Sequence, residues 1–340
     1  MKLSIIIPVF NEINFLENFC KNLFYSFKDE DVEYIFVNDG STDGSGQWIE
    51  EKVKKIKNKN IKTINKDKNK GKGFALRKGI KLAQGDYMLF QDSDLELNTD
   101  DSFEMFKIIS EDNTIDVLFG TRFSSGKLKK NENLINELFG RLNSLIFNIF
   151  FGQSISDVHC GTKIISKQVM EKIDLSINDF GFELDIATQI AKNKFQIYEY
   201  GVSYIARSKN EGKKITWIDG IKSHYYMFKI RFIDNDLSTL ISIIFSSFYM
   251  SYIGSYFGLG TGKIILIFLF CIIGGFIGLK RKLFPSSLIL IFCYFGSFFS
   301  KGNGKILTVF LGFLIGIYIS NKIINLIKNK SSNKFINFFV

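Results

Sequence analysis

Short segments carrying apolar residues recur through the first part of the chain at 3–9, 33–38, 61–65, 86–91 and 116–121 and read as strands, the one at 86–91 as a strand buried on both faces of a parallel sheet. Between them, 13–27, 45–58 and 72–84 carry apolar residues at helical spacing, with Ser41-Thr42-Asp43 offering a cap ahead of the second helix. This alternation predicts βαβ units around a mostly parallel sheet, an α/β fold of the nucleotide-binding type. Architecture of that kind does not by itself name a chemistry.

Beyond the alternating region the pattern changes twice. Residues 133–151 place Leu134, Leu138, Leu142, Leu145 and Ile149 on one side of an amphipathic helix. The stretch Trp217 to Ile233 mixes Trp217, Tyr225, Tyr226, Phe228 and Phe232 with Lys222, Lys229 and Arg231. That mixture suits a helix lying at a bilayer surface, and equally a domain helix packed on the sheet. From Leu237 onward four apolar stretches follow, 237–258, 264–279, 283–300 and 306–327. Each approaches the roughly 20 residues that span a bilayer. The pattern divides the chain into a front domain at 1–215, an interface region at 216–236, an α-helical transmembrane domain of about four helices at 237–327 and a basic tail at 328–340. With the front domain cytosolic, Lys280-Arg281-Lys282 and the basic tail also lie inside, in keeping with the positive-inside rule, while Lys301 and Lys305 lie outside.

Composition narrows the class. The formal net charge is +10, and residues 52–81 hold thirteen Lys or Arg against the single acid Asp67. Aromatics are not interleaved there and no nucleic-acid motif accompanies the run, so no nucleic-acid partner is expected and a solvated lysine-rich surface is. Cys20, Cys160, Cys271 and Cys293 show no paired spacing, which predicts neither a disulfide framework nor a zinc site. Met1 to Ile7 is apolar but meets Pro8 without a small-residue cleavage site, and reads as a first strand.

The candidate chemistry sits where strands end. The run Tyr87 to Phe90 stops at Asp92-Ser93-Asp94-Leu95-Glu96, three acids spaced two apart. The strand at 3–9 ends in Asn11-Glu12 and the strand at 33–38 in Asn38-Asp39-Gly40-Ser41. Ligands of open α/β sheets bind at the carboxyl ends of strands, so all three loops would face one cleft. Carboxylates this close repel unless a cation lies among them, and hard ions such as Mg2+ or Mn2+ favour such oxygen donors. Any one of these loops alone reads as a solvated turn.

In order, Pro8-Val-Phe-Asn-Glu12, Val37-Asn-Asp-Gly-Ser-Thr-Asp-Gly44, Asn69-Lys-Gly-Lys-Gly73 with Gly79, Ala83-Gln-Gly-Asp86, Asp92-Ser-Asp94-Leu-Glu96 and Gly120-Thr-Arg122 resemble the motifs of family 2 glycosyltransferases. Within that family the sequence is most similar to the dolichyl- or polyprenyl-phosphate hexose (mannose or glucose) synthases, over about residues 3–220. The resemblance implies a GT-A-like, Rossmann-type nucleotide-sugar domain. By position it implies that Pro8, Phe10, Glu12, Val37 and Asp39 hold the base and ribose of the donor, with Asp92, Ser93 and Asp94 at its diphosphate. Asp92, Asp94 and Glu96 would hold Mg2+ or Mn2+, and Arg207 with Lys213 or Lys214 would close on the diphosphate. Arg122, Arg141 and Ser144 would clamp an acceptor phosphate. Gly161-Thr162-Lys163 and Gly181-Phe182-Glu183-Leu184-Asp185 resemble acceptor-side motifs, with Asp185 either a base or a partner that orients Arg207, and an ionised phosphate acceptor favours a structural or orienting role for it. His159 and His224 read as a packed loop residue and an interfacial residue.

The function implied is hexosyl transfer from a nucleotide sugar, of GDP-mannose or UDP-glucose type, to a polyprenyl-phosphate lipid, inverting and metal-dependent, by a multi-pass membrane enzyme with a cytosolic catalytic domain. An ionised lipid phosphate needs cations to hold it and no general base. Two alternatives remain open at this point, a glycosyltransferase acting on a glycolipid or polysaccharide hydroxyl with Asp185 as base, and a non-catalytic membrane subunit with a relict nucleotide fold. Association of copies of the chain is left open.

Overall fold

The computed structural model describes residues 1–56, 60–123, 126–130, 134–207, 217–235, 237–255, 260–280, 289, 291, 293–294 and 304–328. The chain forms two compact units, Met1–Met227 and Phe228–Val340, and the division falls inside the stretch expected to be an interface region.

The first unit is built on a seven-stranded sheet of order β3-β2-β1-β4-β7-β5-β8. Strands β1 (Leu3–Val9), β2 (Val32–Asp39), β3 (Asn60–Lys66), β4 (Tyr87–Phe90) and β5 (Val117–Thr121) lie where the apolar runs place them. The neighbours β1–β2, β2–β3 and β1–β4 are parallel. Covered on both faces, such strands need no polar alternation, and the side chains of Leu3, Ile5, Ile6, Ile7, Phe36 and Leu89 are fully buried. The sequence pattern did not anticipate β7 (Lys163–Ser166), inserted antiparallel between β4 and β5, nor β8 (Tyr198–Gly201), parallel to β5 at the edge. A small second sheet pairs β6 (Lys129–Lys130) with β9 (Tyr204–Ile205).

Helices α1 (Ile13–Ser26) and α4 (Thr99–Glu111) pack together around Phe27, whose ring meets Phe103 edge-on with centroids 5.3 Å apart. Helix α3 (Lys72–Ile80) lies on β1 and β2. The expected second helix is shorter than its pattern, α2 (Ser45–Trp48) followed by a π-helical turn, Ile49–Val53. Its cap also differs. Gly44, at φ 93°, precedes the helix, and Asp43 divides its oxygens between the Ser45 amide at 2.9 Å and the Ile13 amide at 3.0 Å, tying the β2 loop to the start of α1. Helix α5 (Leu134–Phe151) is followed by α6 (Lys167–Met170), α7 (Phe182–Lys192) and α8 (Trp217–Phe228). Tyr226 of α8 lies against Gly181 and donates to Asp179 at 2.9 Å, so α8 packs on the turn before α7.

The second unit contains α9 (Leu237–Gly254), α10 (Gly260–Lys280) and α11 (Gly304–Lys328). Helices α9 and α10 run antiparallel in close contact. A Cβ on Gly274 would come within 2.3 Å of the Ser246 carbonyl oxygen, and one on Gly278 within 2.4 Å of that of Ser242. Small residues at a seam let helix backbones approach, a device suited to apolar surroundings. Among the described residues, Gly262–Leu279 is the one segment long and apolar enough to cross a membrane, and shorter apolar segments cover Thr239–Gly254 and Thr308–Ser320. The third expected stretch, 283–300, and most of the Lys280-Arg281-Lys282 and 328–340 basic clusters lie outside the described residues.

Candidate active site

The first unit reverses its strand order at β1, which has β2 on one side and β4 on the other. Such a reversal leaves a crevice at the carboxyl ends of the two central strands. Asn11-Glu12 leaves β1, Asp39 closes β2, and the acid loop leaves β4 at that same edge. Asn11 (φ 52°) and Leu95 (φ 61°) both adopt the left-handed conformation. Asparagine tolerates it, whereas for leucine it costs on the order of 1 kcal/mol or more, and such strain gathers at functional loops. At Leu95 it turns the chain so that the Glu96 amide donates to Asp94 Oδ1 at 3.1 Å.

The acid loop closes on an arginine. Arg207 places Nη2 2.9 Å from Asp94 Oδ2, Nη1 2.9 Å from Glu12 Oε2 and Nε 3.4 Å from Glu96 Oε1, and its own amide donates to Glu96 at 2.9 Å. Tyr204 adds a hydroxyl donor to Glu96 at 3.2 Å. Burial, and then the charges of Asp92 and Glu96, push the Asp94 carboxyl up to about 7 against the pull of Arg207. Lys213 and Lys214 lie outside the described residues.

Asp92 faces the other way. Lys72, the first residue of α3, sits 2.8 Å and 2.9 Å from its two oxygens and 2.9 Å from Glu183 Oε1. The second Glu183 oxygen meets the fully buried Lys163 at 2.5 Å. Burial alone would lower the Lys72 ammonium, but Asp92 and Glu183 outweigh it and hold it above its ordinary value. A Cβ on Gly161 would fall 2.3 Å from Asp92 Oδ2, so only glycine lets the β7 approach pass this carboxylate.

Of the donor-side expectations, Asp39 lies at the cleft edge and accepts the amides of Lys70 and Gly71 at 2.7–3.1 Å, which fixes the loop before α3. Ser93 donates to the Pro8 carbonyl at 3.2 Å, joining the ends of β4 and β1, and Phe10 is half-buried beside them. Val37 departs from its expectation. Its side chain is fully buried and directed at α3 near Gly79, because β2 is covered on that face, and only its backbone remains for a ligand. Asp185 is fully buried and accepts the Ser176 and Ile177 amides at 2.7 and 2.9 Å, while Arg207 is held by Glu12, Asp94 and Glu96. Burial raises its carboxyl above the ordinary value.

Arg122 is gripped side-on by Asp157, Nε at 2.7 Å from Oδ2 and Nη2 at 2.9 Å from Oδ1, and its amide donates to the same carboxylate at 3.1 Å. Asp157 is in turn set by Glu199, which accepts the Ser156 and Asp157 amides. Arg122 lies 5.3 Å from the centroid of the Phe123 ring and 5.1 Å from that of Tyr204. Arg141 and Lys129 lie 4.7 and 4.9 Å from the same Phe123 centroid, so three cations gather around one ring, with Glu137 bridging the latter two. Ser144 differs from a phosphate ligand in its bonding, since its hydroxyl donates to the Gly140 carbonyl and accepts the Val158 amide, both at 3.1 Å, pinning α5 to the 155–159 segment. His159 contacts Asn143 at 2.9 Å, and burial pushes its imidazole down to about 4.

A family model described as "Glycosyl transferase family 2" matches residues 4–174, half of the chain. The chain belongs to glycosyl transferase family 2. Among curated proteins, an uncharacterized protein of Methanocaldococcus jannaschii is 32% identical over 208 residues, 58% of this chain and 86% of that protein. The dolichyl-phosphate beta-glucosyltransferase of Dictyostelium discoideum is 27% identical across 59% of this chain and 66% of its own length. The dolichol-phosphate mannosyltransferase of Pyrococcus furiosus is 26% identical across 63% of this chain and 59% of its own. The matches therefore span under two thirds of the length of the last two relatives. Among solved structures, glucosyl-3-phosphoglycerate synthase of Mycobacterium tuberculosis with UDP superposes with a TM-score of 0.53 at 14% identity, covering 70% of this chain and 82% of that one. Crystals of the same synthase contain Mn2+ or Mg2+ with UDP. The likeness establishes a GT-A-like fold for this glycosyltransferase.

Among the described residues of the transferase, no three acid, histidine or cysteine side chains converge as a finished metal cage. The donor set nonetheless fits a hard divalent ion, because Asp94 and Glu96 present carboxylate oxygens and already gather around a cation, the Arg207 guanidinium. The sequence reading assigned no role to Lys72, Asp157 or Glu183. Lys72 and Glu183 lie inside motifs the family resemblance had flagged, whereas Asp157 carried no signal beyond its nearness to Gly161.

Proposed function

We propose that this glycosyltransferase moves a hexose from a nucleoside diphosphate sugar to a polyprenyl (dolichyl-type) phosphate, with inversion in a single displacement. The observation that carries the reading is the cation cluster around Phe123, where Arg122 stands beside the acid loop through Tyr204 and Arg141 shares the Phe123 ring with it. A phosphate acceptor is ionised near neutrality and calls for guanidinium groups and no base. The bonding of Asp185 to two backbone amides, away from Arg207, counts against a hydroxyl acceptor that needs a base. The dolichyl-phosphate transferases among the relatives support the same acceptor class.

In this reading a phosphate oxygen of the acceptor attacks the anomeric carbon as the bond to the donor diphosphate breaks, giving polyprenyl-phosphate hexose and a nucleoside diphosphate. Glu12, Asp39 and the Pro8–Phe10 edge bind the nucleoside, with Val37 contributing backbone only. Asp94 and Glu96, with Asp92 behind them, hold Mg2+ or Mn2+, which when bound stabilises the charge that builds on the diphosphate. Arg207 stands next to that position and supplies a second cation to the leaving group. Arg122, kept in one orientation by Asp157, and Arg141 hold the acceptor phosphate.

Helix α5 supports a membrane setting. Its inward face is Asn143, Ser144 and Phe147, whereas Leu134, Leu138, Leu142, Leu145 and Ile149 are 42–80% exposed. An outward apolar stripe next to the phosphate clamp suits a helix seated at the surface of a bilayer from which the lipid phosphate is drawn. Among the described residues, the one helix long and apolar enough to span, Gly262–Leu279, supports an integral placement; the multi-pass arrangement with the catalytic unit in the cytosol is the reading taken from the four apolar stretches and the placement of the basic clusters.

The test is transfer of radiolabelled hexose from a panel of UDP- and GDP-sugars to polyprenyl phosphate in membranes. One donor should give lipid-linked product, and Asp94→Ala should lower the rate by two orders of magnitude or more, about 3 kcal/mol. No lipid-linked product from any donor, or an Asp94→Ala enzyme of normal rate, would sink the proposal.

A further inference from the structure

The acids of the β4 loop differ in how their charge is met. Asp92 gives both oxygens to Lys72, Lys72 also reaches Glu183, and Glu183 turns its other oxygen to Lys163, which ends the series by donating to the Cys160 carbonyl. Charges alternate along Asp92, Lys72, Glu183 and Lys163, and they cancel. Among the described residues, Asp94 and Glu96 instead share one guanidinium, that of Arg207, which also meets Glu12. Among those residues, the carboxylates of the loop that are not closed into the alternating series are therefore Asp94 and Glu96.

The geometry points to Lys72 as a positioning residue for the cation site: by holding Asp92 in a closed ion pair, it withdraws one carboxylate and directs a divalent ion to Asp94 and Glu96. The inference rests on the reading that this loop binds such an ion with the donor.

Three features set Lys72 apart from an incidental surface pair. Its side chain is 15% exposed, and burying an ammonium has a desolvation cost that an apolar side chain would avoid. Its backbone is placed by the donor-side acid, since Asp39 takes the amides of Lys70 and Gly71 immediately before it. Its pair is enclosed by backbone, because a Cβ on Gly161 would lie 2.3 Å from Asp92 Oδ2 and 3.4 Å from Lys72 Nζ.

A cation site that binds more tightly is a change that damage to the fold cannot imitate. Lys72→Met keeps the length of the side chain and removes its charge, so Asp92 becomes an unpaired carboxylate beside the cation site. Mn2+ should then bind about five-fold more tightly than to the natural protein, while turnover falls. Adding Asp92→Asn to Lys72→Met should return Mn2+ affinity to the natural value, and Lys72→Arg should stay near it. Affinity is read from the electron paramagnetic resonance of free Mn2+ titrated against the full chain in detergent, with UDP or GDP present. Unchanged or weaker Mn2+ binding by Lys72→Met, or a double variant that keeps the tighter binding, overturns the role of Lys72. Natural Mn2+ affinity in Asp94→Asn overturns the underlying reading instead, because the loop is then not the cation site.

Discussion

At the scale of single residues, much of the site depends on side chains that neutralise one another. Arg122 is held by Asp157, Lys163 by Glu183, and His159 sits within the field of both cations. Burial first, then Arg122 and Lys163, keep the imidazole at about 4, with Asp157 opposing. An unfolded chain protonates the same histidine near its ordinary 6.5. Between those values the unfolded state binds the additional proton, so the His159 contribution favours the fold above pH 6.5 and is lost as pH falls toward 4. Replacing His159 with Gln should shrink the loss of stability between pH 7 and pH 4.5 by on the order of 2 kcal/mol, read from Trp fluorescence in urea. Equal losses in the two proteins would show the imidazole to be solvated in the fold. Side-chain placement was legible in the sequence only in part. Asp94, Glu96 and Arg207, all in stretches that the family resemblance covers, come together, but Val37 and Asp185 turn into the interior, since a motif position fixes the backbone and the covering helix decides what its side chain faces.

At the scale of elements, β1, β2, β4 and β5 were legible because each is an apolar run bounded by polar residues. Strand β7 was not, since it begins with Lys163, a charge that is buried only because Glu183 on α7 meets it. No local pattern carries that pairing. Helix α5 was legible as amphipathic, yet the side it turns to the protein is the one with Asn143, Ser144 and Asn148, which bond to His159, Val158 and Ile155. Its leucines are left outside, Leu138 at 65% and Leu145 at 55% exposure. If they enter a bilayer, each contributes about 1.5–3 kcal/mol to docking. Changing both Leu138 and Leu145 to Gln should therefore lower kcat/KM for vesicle-embedded polyprenyl phosphate by ten-fold or more, with the KM for the nucleotide sugar unchanged. A matching rise in the donor KM would place the stripe at the donor site or in folding, and not at a lipid surface.

At the scale of the whole chain, the two units have separate cores. Residues from Leu3 to Ala206 form one apolar cluster, and Met250, Ile253, Ile277, Ile289, Cys293 and Val309 form another. The sheet, the acid loop, Arg207 and the Phe123 cation cluster all belong to the unit Met1–Met227. A fragment ending at Met227 thus retains a full layer of helices on a seven-stranded sheet, and its size is ample for an independent core. It should unfold in one cooperative transition and bind Mn2+ with a nucleoside diphosphate much as the full chain does. Transfer should then depend on how the acceptor is presented. A short-chain polyprenyl phosphate dispersed in detergent should still receive hexose from the fragment. The same lipid embedded in vesicles should be used far less well than by the full chain, because docking would fall to the α5 stripe and neighbouring residues alone, and one interfacial helix binds reversibly where a spanning helix does not. Equal rates on both presentations would leave the apolar second unit with no part in reaching the acceptor, and a fragment that fails to bind Mn2+ with nucleotide would show that the acid loop needs that unit to form.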